Sequence, residues 1–111
     1  MIVRKDTDIE AVDVEIEGAV GVKIRVIISE DDGAPNFIMR RFTIAPGGKT
    51  PYHTHSWEHE VYTLNGRGEV RQGNTAKELS RGSIILIIPN EEHNFVNTGD
   101  EPLDFLCIVP T

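Results

Sequence analysis

Four histidines are the side chains of this 111-residue chain best suited to chemistry, and they occupy two short stretches. His53, His55 and His59 lie in GGKTPYHTHSWEHEVYTLNG, residues 47–66, and His93 lies in PNEEHNFVN, residues 89–97. Imidazole is the commonest protein ligand for divalent transition metals. His53 and His55 are two apart, so on a β-strand both point to one face. His59, at a further even offset, returns to that face if the strand continues. A fourth ligand must arrive from a distant strand, and His93 is the candidate. Histidines used only as hydrogen-bonded or solvated strand residues would have no reason to be confined in this way.

Four neutral imidazoles leave the full charge on a divalent ion. An octahedral ion held by four ligands keeps two positions open, for water, dioxygen or a bidentate substrate. The donor set suits several metals. Two open positions rank Mn and Fe first, ahead of Ni, Zn or Cu, at one divalent ion per chain. Around this set, Trp57 and Tyr52 read either as rim aromatics or as the lining of a substrate mouth. Counting back by twos from Val109 places Cys107, Phe105 and Leu103 on one face, opposite Asp104. If that face is inward, the Cys107 thiol approaches the metal, though a buried cysteine is most often a small apolar residue. Glu58 and Glu60 are expected to face outward, where either could fix an imidazole tautomer.

Short strands must position these residues. Residues 11–16, 22–28 and 36–44 read as strands, followed by an Ala45–Gly48 turn and a histidine-bearing strand running towards Leu64. On residues 22–28, Lys23 and Arg25 take one face and Val22, Ile24 and Val26 the other. Asn65-Gly66 is a type I′ hairpin signal, and Gly73-Asn74 marks a further turn. Residues 68–71, 76–79, 84–88, 91–97 and 103–109 complete the set, and residues 1–10 read as an arm or edge strand. No segment shows a sustained 3.6-residue period. Regular short strands separated by Gly, Asn and Pro predict an all-β sandwich or barrel in a single domain.

The two histidine stretches resemble the two motifs of the cupins. The first motif runs Gly, five residues, His-x-His, three or four residues, Glu, six residues, Gly; it matches residues 47–66. The second runs Gly, five residues, Pro-x-Gly, two residues, His, three residues, Asn; it matches residues 82–97. The resemblance implies one cupin domain over residues 1–111, folded as a double-stranded β-helix, or jelly-roll, barrel of antiparallel strands. Three positions depart from the pattern. His59 stands where the family's glutamate ligand stands, which implies a four-histidine site of His53, His55, His59 and His93. Glu60 satisfies the looser spacing and is the alternative fourth ligand, although alternation turns it away from His53 and His55. Ile88 and Asn90 replace proline and glycine, and Asn tolerates the positive φ such a turn needs.

Composition sets the wider bounds. The net charge of −7 disfavours nucleic acid and anionic membrane as partners. The basic cluster Arg40-Arg41 is small. A single cysteine, Cys107, allows no intrachain disulfide and points to a reducing compartment. MIVRKDTDIEAV holds no long apolar run, so neither signal peptide nor membrane anchor is expected and a cytoplasmic location follows. Residues 84–88 and 103–109 are apolar on both faces. One face fits a barrel interior, and the other is expected to be covered by a second copy in a symmetric homodimer. The expected function is that of a metal-dependent enzyme acting on a small organic molecule. An oxygenase, and so an oxidoreductase, comes first; a non-redox isomerase or decarboxylase, or a binding protein without turnover, stands as the alternative.

Overall fold

The computed structural model describes residues 1–111. Nine strands follow one another: β1 (Val12–Asp13), β2 (Val20–Ile28), β3 (Phe37–Lys49), β4 (His59–Asn65), β5 (Gly68–Gln72), β6 (Thr75–Leu79), β7 (Ile84–Ile87), β8 (Asn94–Asn97) and β9 (Leu103–Pro110). Every pairing is antiparallel. One layer runs β1-β2-β3-β9-β4-β7. The other runs β6-β5-β8 and joins the first where Lys49, at the end of β3, lies opposite Val96 of β8. The curled sheet is the jelly-roll barrel expected.

The joint between the layers is a corner and not the turn expected at Ala45–Gly48. β3 runs through these residues and bends. Ile44 is opposite Val22 and Leu103, whereas Lys49 is opposite Val20 and Val96. Gly48 makes this possible, because a Cβ there would come within 2.4 Å of the Val20 carbonyl oxygen. Asn65-Gly66 likewise forms no hairpin: β4 pairs with β7 and β9, β5 with β6 and β8. The chain changes layers there, with Gly66 at φ 87° and so placed that a Cβ would collide with the backbone of Pro102 and Leu103. The true hairpin joins β5 to β6 through Gly73-Asn74, where Gln72 faces Thr75. Turn residues specify a local bend, and the strands that flank it decide whether they pair.

Ile44, Val61, Ile87, Leu103 and Phe105 form the centre of the buried apolar cluster, with Val22, Val70, Leu79 and Phe95 around them. Phe105 stacks on Phe42 at 5.4 Å and meets Phe95 at 4.8 Å, and Phe95 touches the His93 ring edge-on at 5.9 Å. An aromatic row thus leads from the core to the histidines. The first residues form an arm as expected, with one turn of 3-10 helix at Asp6–Asp8. Arg41 pairs with Asp6, and Arg4 reaches Asp32 at 2.7 Å, tying the arm to the first layer.

Candidate metal centre

His53, His55 and His93 bring their ligand atoms within 4.8 Å of one another. They do so by a route that strand alternation does not describe. Only His59 of the first three lies on a strand, as the opening residue of β4. His53 sits in an isolated bridge, exchanging backbone hydrogen bonds with His93 at 3.2 and 3.1 Å. His55 lies beyond it, in the loop that precedes β4, and its carbonyl accepts from the Asn90 amide at 2.8 Å. The histidine-bearing strand expected from the sequence is therefore a crossing loop pinned to the turn before β8. Asn90 is the one non-glycine residue at positive φ, 69°, as that turn demands.

Hydrogen bonds prepare these rings for a metal. His93 Nδ1–H donates to the Glu91 carbonyl at 2.9 Å, and His55 Nδ1–H donates to the Trp57 carbonyl at 3.2 Å. Each bond leaves Nε2 unprotonated, the form in which a backbone acceptor fixes a metal-ligating histidine. Two imidazole nitrogens on opposite sides of one ion stand about 4.2 Å apart, twice the usual bond length. The observed spread exceeds this by about half an ångström, so small ring rotations close the set. Burial lowers the pKa of His53 and His55 first of all, which favours their neutral form. The nearby Arg40 charge lowers both further, while the bond to the Trp57 carbonyl offsets part of the shift at His55. The residues present fit a divalent ion.

His59 belongs to the same cluster by contact. Its Nε2 lies 2.6 Å from His55 Nε2, the two rings stack at 4.0 Å, and its centroid is 5.5 Å from that of His93. Its Nδ1 lies 3.0 Å from Cys107 Sγ. Burial, then the charges of His55 and Arg40, push its pKa down to about 3. Glu60 does not compete for this place. It is exposed, points to the outer side of β4, and lies with Tyr62, Ile84 and Leu86 along an apolar groove there.

The remaining candidates separate. A cavity of about 260 Å³ opens onto the histidines and is lined by Trp57, Cys107, Arg40, Phe42, Phe95 and Phe105 among others. Trp57 stands at its mouth, half-exposed and stacked on His55 at 4.7 Å. Cys107 is 1% exposed at its wall, on the inward face of β9 as alternation predicts, and burial holds its thiol pKa up. Asp104 points the other way, to Thr43 and Arg41. Tyr52 is not part of the lining. It points to the β5–β6 hairpin, where its hydroxyl accepts from the Gly73 amide at 2.7 Å. Two residues were missed. Glu91 contributes its carbonyl, which no side-chain motif announces. Arg40 had a signal: it is a cation at an even offset from Phe42 on an otherwise apolar strand face.

Residues 40–109 match the cupin domain family. Among curated proteins, the chain is 32% identical over 71 residues to the 1-methylthio-D-xylulose 5-phosphate methylsulfurylase of Rhodospirillum rubrum, covering 64% of this chain and 46% of that one. It is 27% identical over 73 residues to the oxalate-binding protein of Thermotoga maritima, covering 65% of this chain and 60% of that one. The chain thus spans less than two thirds of either relative. Among solved structures, the polyketide cyclase RemF of Streptomyces resistomycificus superposes with a TM-score of 0.93 at 34% identity, over 99% of this chain and 79% of that one. No helix is long and apolar enough to cross a membrane.

Proposed function

The chain belongs to the cupin domain family, and from that premise we propose that it is a metal-dependent enzyme acting on a small, largely apolar carbonyl compound without consuming oxygen. One observation carries this reading: the three converging imidazoles open directly onto an aromatic-lined cavity. The likeness to a polyketide cyclase supports carbonyl chemistry in particular. His53, His55 and His93 hold the ion, with His59 as the fourth ligand beside them. The bound ion supplies Lewis acidity, which polarises a carbonyl oxygen. Phe42, Phe95 and Phe105 form the aromatic wall against which a flat carbon skeleton packs, and they exclude water from it. Trp57 covers the mouth and orients what enters. The reaction class this would serve is an aldol-type ring closure: a methylene carbon gives up one proton and bonds to a carbonyl carbon, the carbonyl oxygen takes up a proton to become a hydroxyl, and that hydroxyl leaves as water with a second hydrogen of the former methylene. Mn or Fe remains first in rank.

The oxygenase reading stands second. It is favoured by the all-nitrogen donor set, which leaves several positions on the ion for both substrate and dioxygen. In either reading the protein works in the cytoplasm, and the exposed β4–β7 face receives a second copy of the chain.

The test is elemental analysis of untagged protein, followed by calorimetric titration of Mn(II), Fe(II) and Zn(II) after chelation. One ion per chain is expected, with loss in His93→Ala and His53→Ala. His59→Ala is expected to weaken binding at least tenfold; unchanged affinity would remove His59 from the ligand set. An aryl 1,3,5-triketone incubated without oxygen then separates the readings. Ring formation by absorbance supports the non-redox reading, whereas turnover only with oxygen uptake at an electrode transfers the site to the oxygenase reading. Protein that takes up no metal would sink both.

A further inference from the structure

Arg40 is set apart from the rest of the cavity wall by its charge. It lies on β3 opposite Cys107, and its side chain lines the cavity with the histidines. It is the only Lys, Arg, Asp or Glu in that lining. Three other arginines have carboxylate partners: Arg4 with Asp32, Arg41 with Asp6 and Asp104, and Arg71 with Glu69. Arg40 has none. Its Nη2 donates to Cys107 Sγ at 3.0 Å, its guanidinium carbon lies 5.1 Å from the Phe42 ring centroid, and its buried Nε has no hydrogen-bond partner.

Such a placement is costly. Arg40 is half-buried, and a cation partly withdrawn from water needs a counter-charge or acceptors in place of the water it has lost. Sulfur is a weak acceptor, and the face of Phe42 offers only a partial substitute. A neutral side chain would line the wall more cheaply. Arg40 lines the same cavity as the three phenylalanine rings and the imidazoles.

We propose that Arg40 anchors an anionic oxygen of the ligand: a carboxylate, or the phenolate or enolate of an aromatic or polycarbonyl compound. The inference rests on the cavity being the substrate site and narrows the substrate to an acid or an ionised enol. The ligand's ring lies against the wall of Phe42, Phe95 and Phe105, and its charge meets the guanidinium, whose fork donates two parallel bonds to a carboxylate. Cys107 Sγ, 3.0 Å from both Arg40 and His59, places this anchor next to the candidate metal ligands. A bound anion then spans the two, and its reacting carbonyl is held at a fixed distance from its charge.

The experiment compares 2-naphthoate with its neutral counterpart 2-naphthamide by calorimetry, on metal-loaded and on chelated protein. Chelated wild type is expected to bind the naphthoate at least tenfold more tightly. Arg40→Gln is expected to lose that preference, with naphthamide affinity within twofold of wild type and metal stoichiometry unchanged. Arg40→Lys, which keeps the charge but not the fork, is expected to retain part of the preference. Equal binding of the two compounds by chelated wild type overturns the proposal without recourse to a variant, as does a preference that survives in Arg40→Gln. The chelated protein keeps this outcome separate from the metal reading: failure to take up metal leaves the naphthoate preference intact, and loss of the preference leaves metal uptake intact.

Discussion

β9 and β7 flank β4 on opposite sides and are both largely apolar, yet their surroundings differ. β9 lies between β3 and β4 over most of its length, with Leu103, Phe105, Cys107 and Val109 buried on its inner face. β7 pairs only with β4, at the end of its layer, and its Ile84 and Leu86 are 77% and 59% exposed. Tyr62 and Ile88 extend that bare apolar face. A central strand spends its apolar residues on the core. An edge strand that is equally apolar leaves a surface that invites a partner. Both strands touch the site through β4: Ile87 is opposite His59, and Cys107 contacts it.

The largest expected effect lies in β9. Phe105→Ala removes a ring stacked between Phe42 and Phe95 and is expected to cost about 3–5 kcal/mol in urea unfolding. A loss below about 1 kcal/mol would mean that the two strands are not energetically distinct. In β7 the corresponding change acts on association. Ile84→Lys with Leu86→Lys is expected to shift the sedimentation mass from two chains to one, while the unfolding of the monomer moves by no more than about 0.5 kcal/mol. A wild-type protein that sediments as one chain at all concentrations would end the dimer reading of this face.

That contrast also shows what was legible beforehand. Alternation along residues 103–109 placed Cys107 and Phe105 inward and Asp104 outward, because a strand paired on both sides has no freedom to rotate its faces. The same reasoning could not tell that residues 84–88 lie at an edge, since edge and centre differ in pairing partners and not in pattern. The histidines were legible as a set through the two motifs, but not as a shape. His53 and His55 converge with His93 through a pinned loop, so their agreement with strand spacing was incidental. Arg40 escaped because its neighbour Arg41 made the pair look like a surface cluster. Register alone sends Arg41 outward to Asp6 and Arg40 inward to the cavity.

The junction between the two strands gives a smaller, pH-dependent effect. In chelated protein, His59 is protonated only near pH 3, against 6.5 for the ordinary imidazole. Between those values the unfolded chain binds the proton and the folded chain does not, so stability falls as the pH falls through that window and is fully present above it. His53 and His55, also lowered, act in the same direction. Thermal melts of chelated wild type are expected to move down between pH 7 and pH 4.5, and His59→Leu is expected to flatten that decline by removing one contributor. An identical slope in the variant would mean that His59 titrates normally and that the β9 side of the junction does not desolvate it.

The smallest effect separates packing from ligation at Cys107. Its Sγ contacts both Arg40 and His59, but the three converging nitrogens do not include it. Cys107→Ala is therefore expected to cost about 1 kcal/mol through the small void it leaves, with metal stoichiometry at the wild-type value. In the intact protein, a buried thiol with a raised pKa is expected to react with iodoacetamide far more slowly than the same thiol in urea. Loss of the metal in Cys107→Ala would make sulfur a ligand. β9 would then supply a donor to the site as well as its wall, and the division of labour between the central and the edge strand would have to be redrawn around a mixed nitrogen and sulfur set.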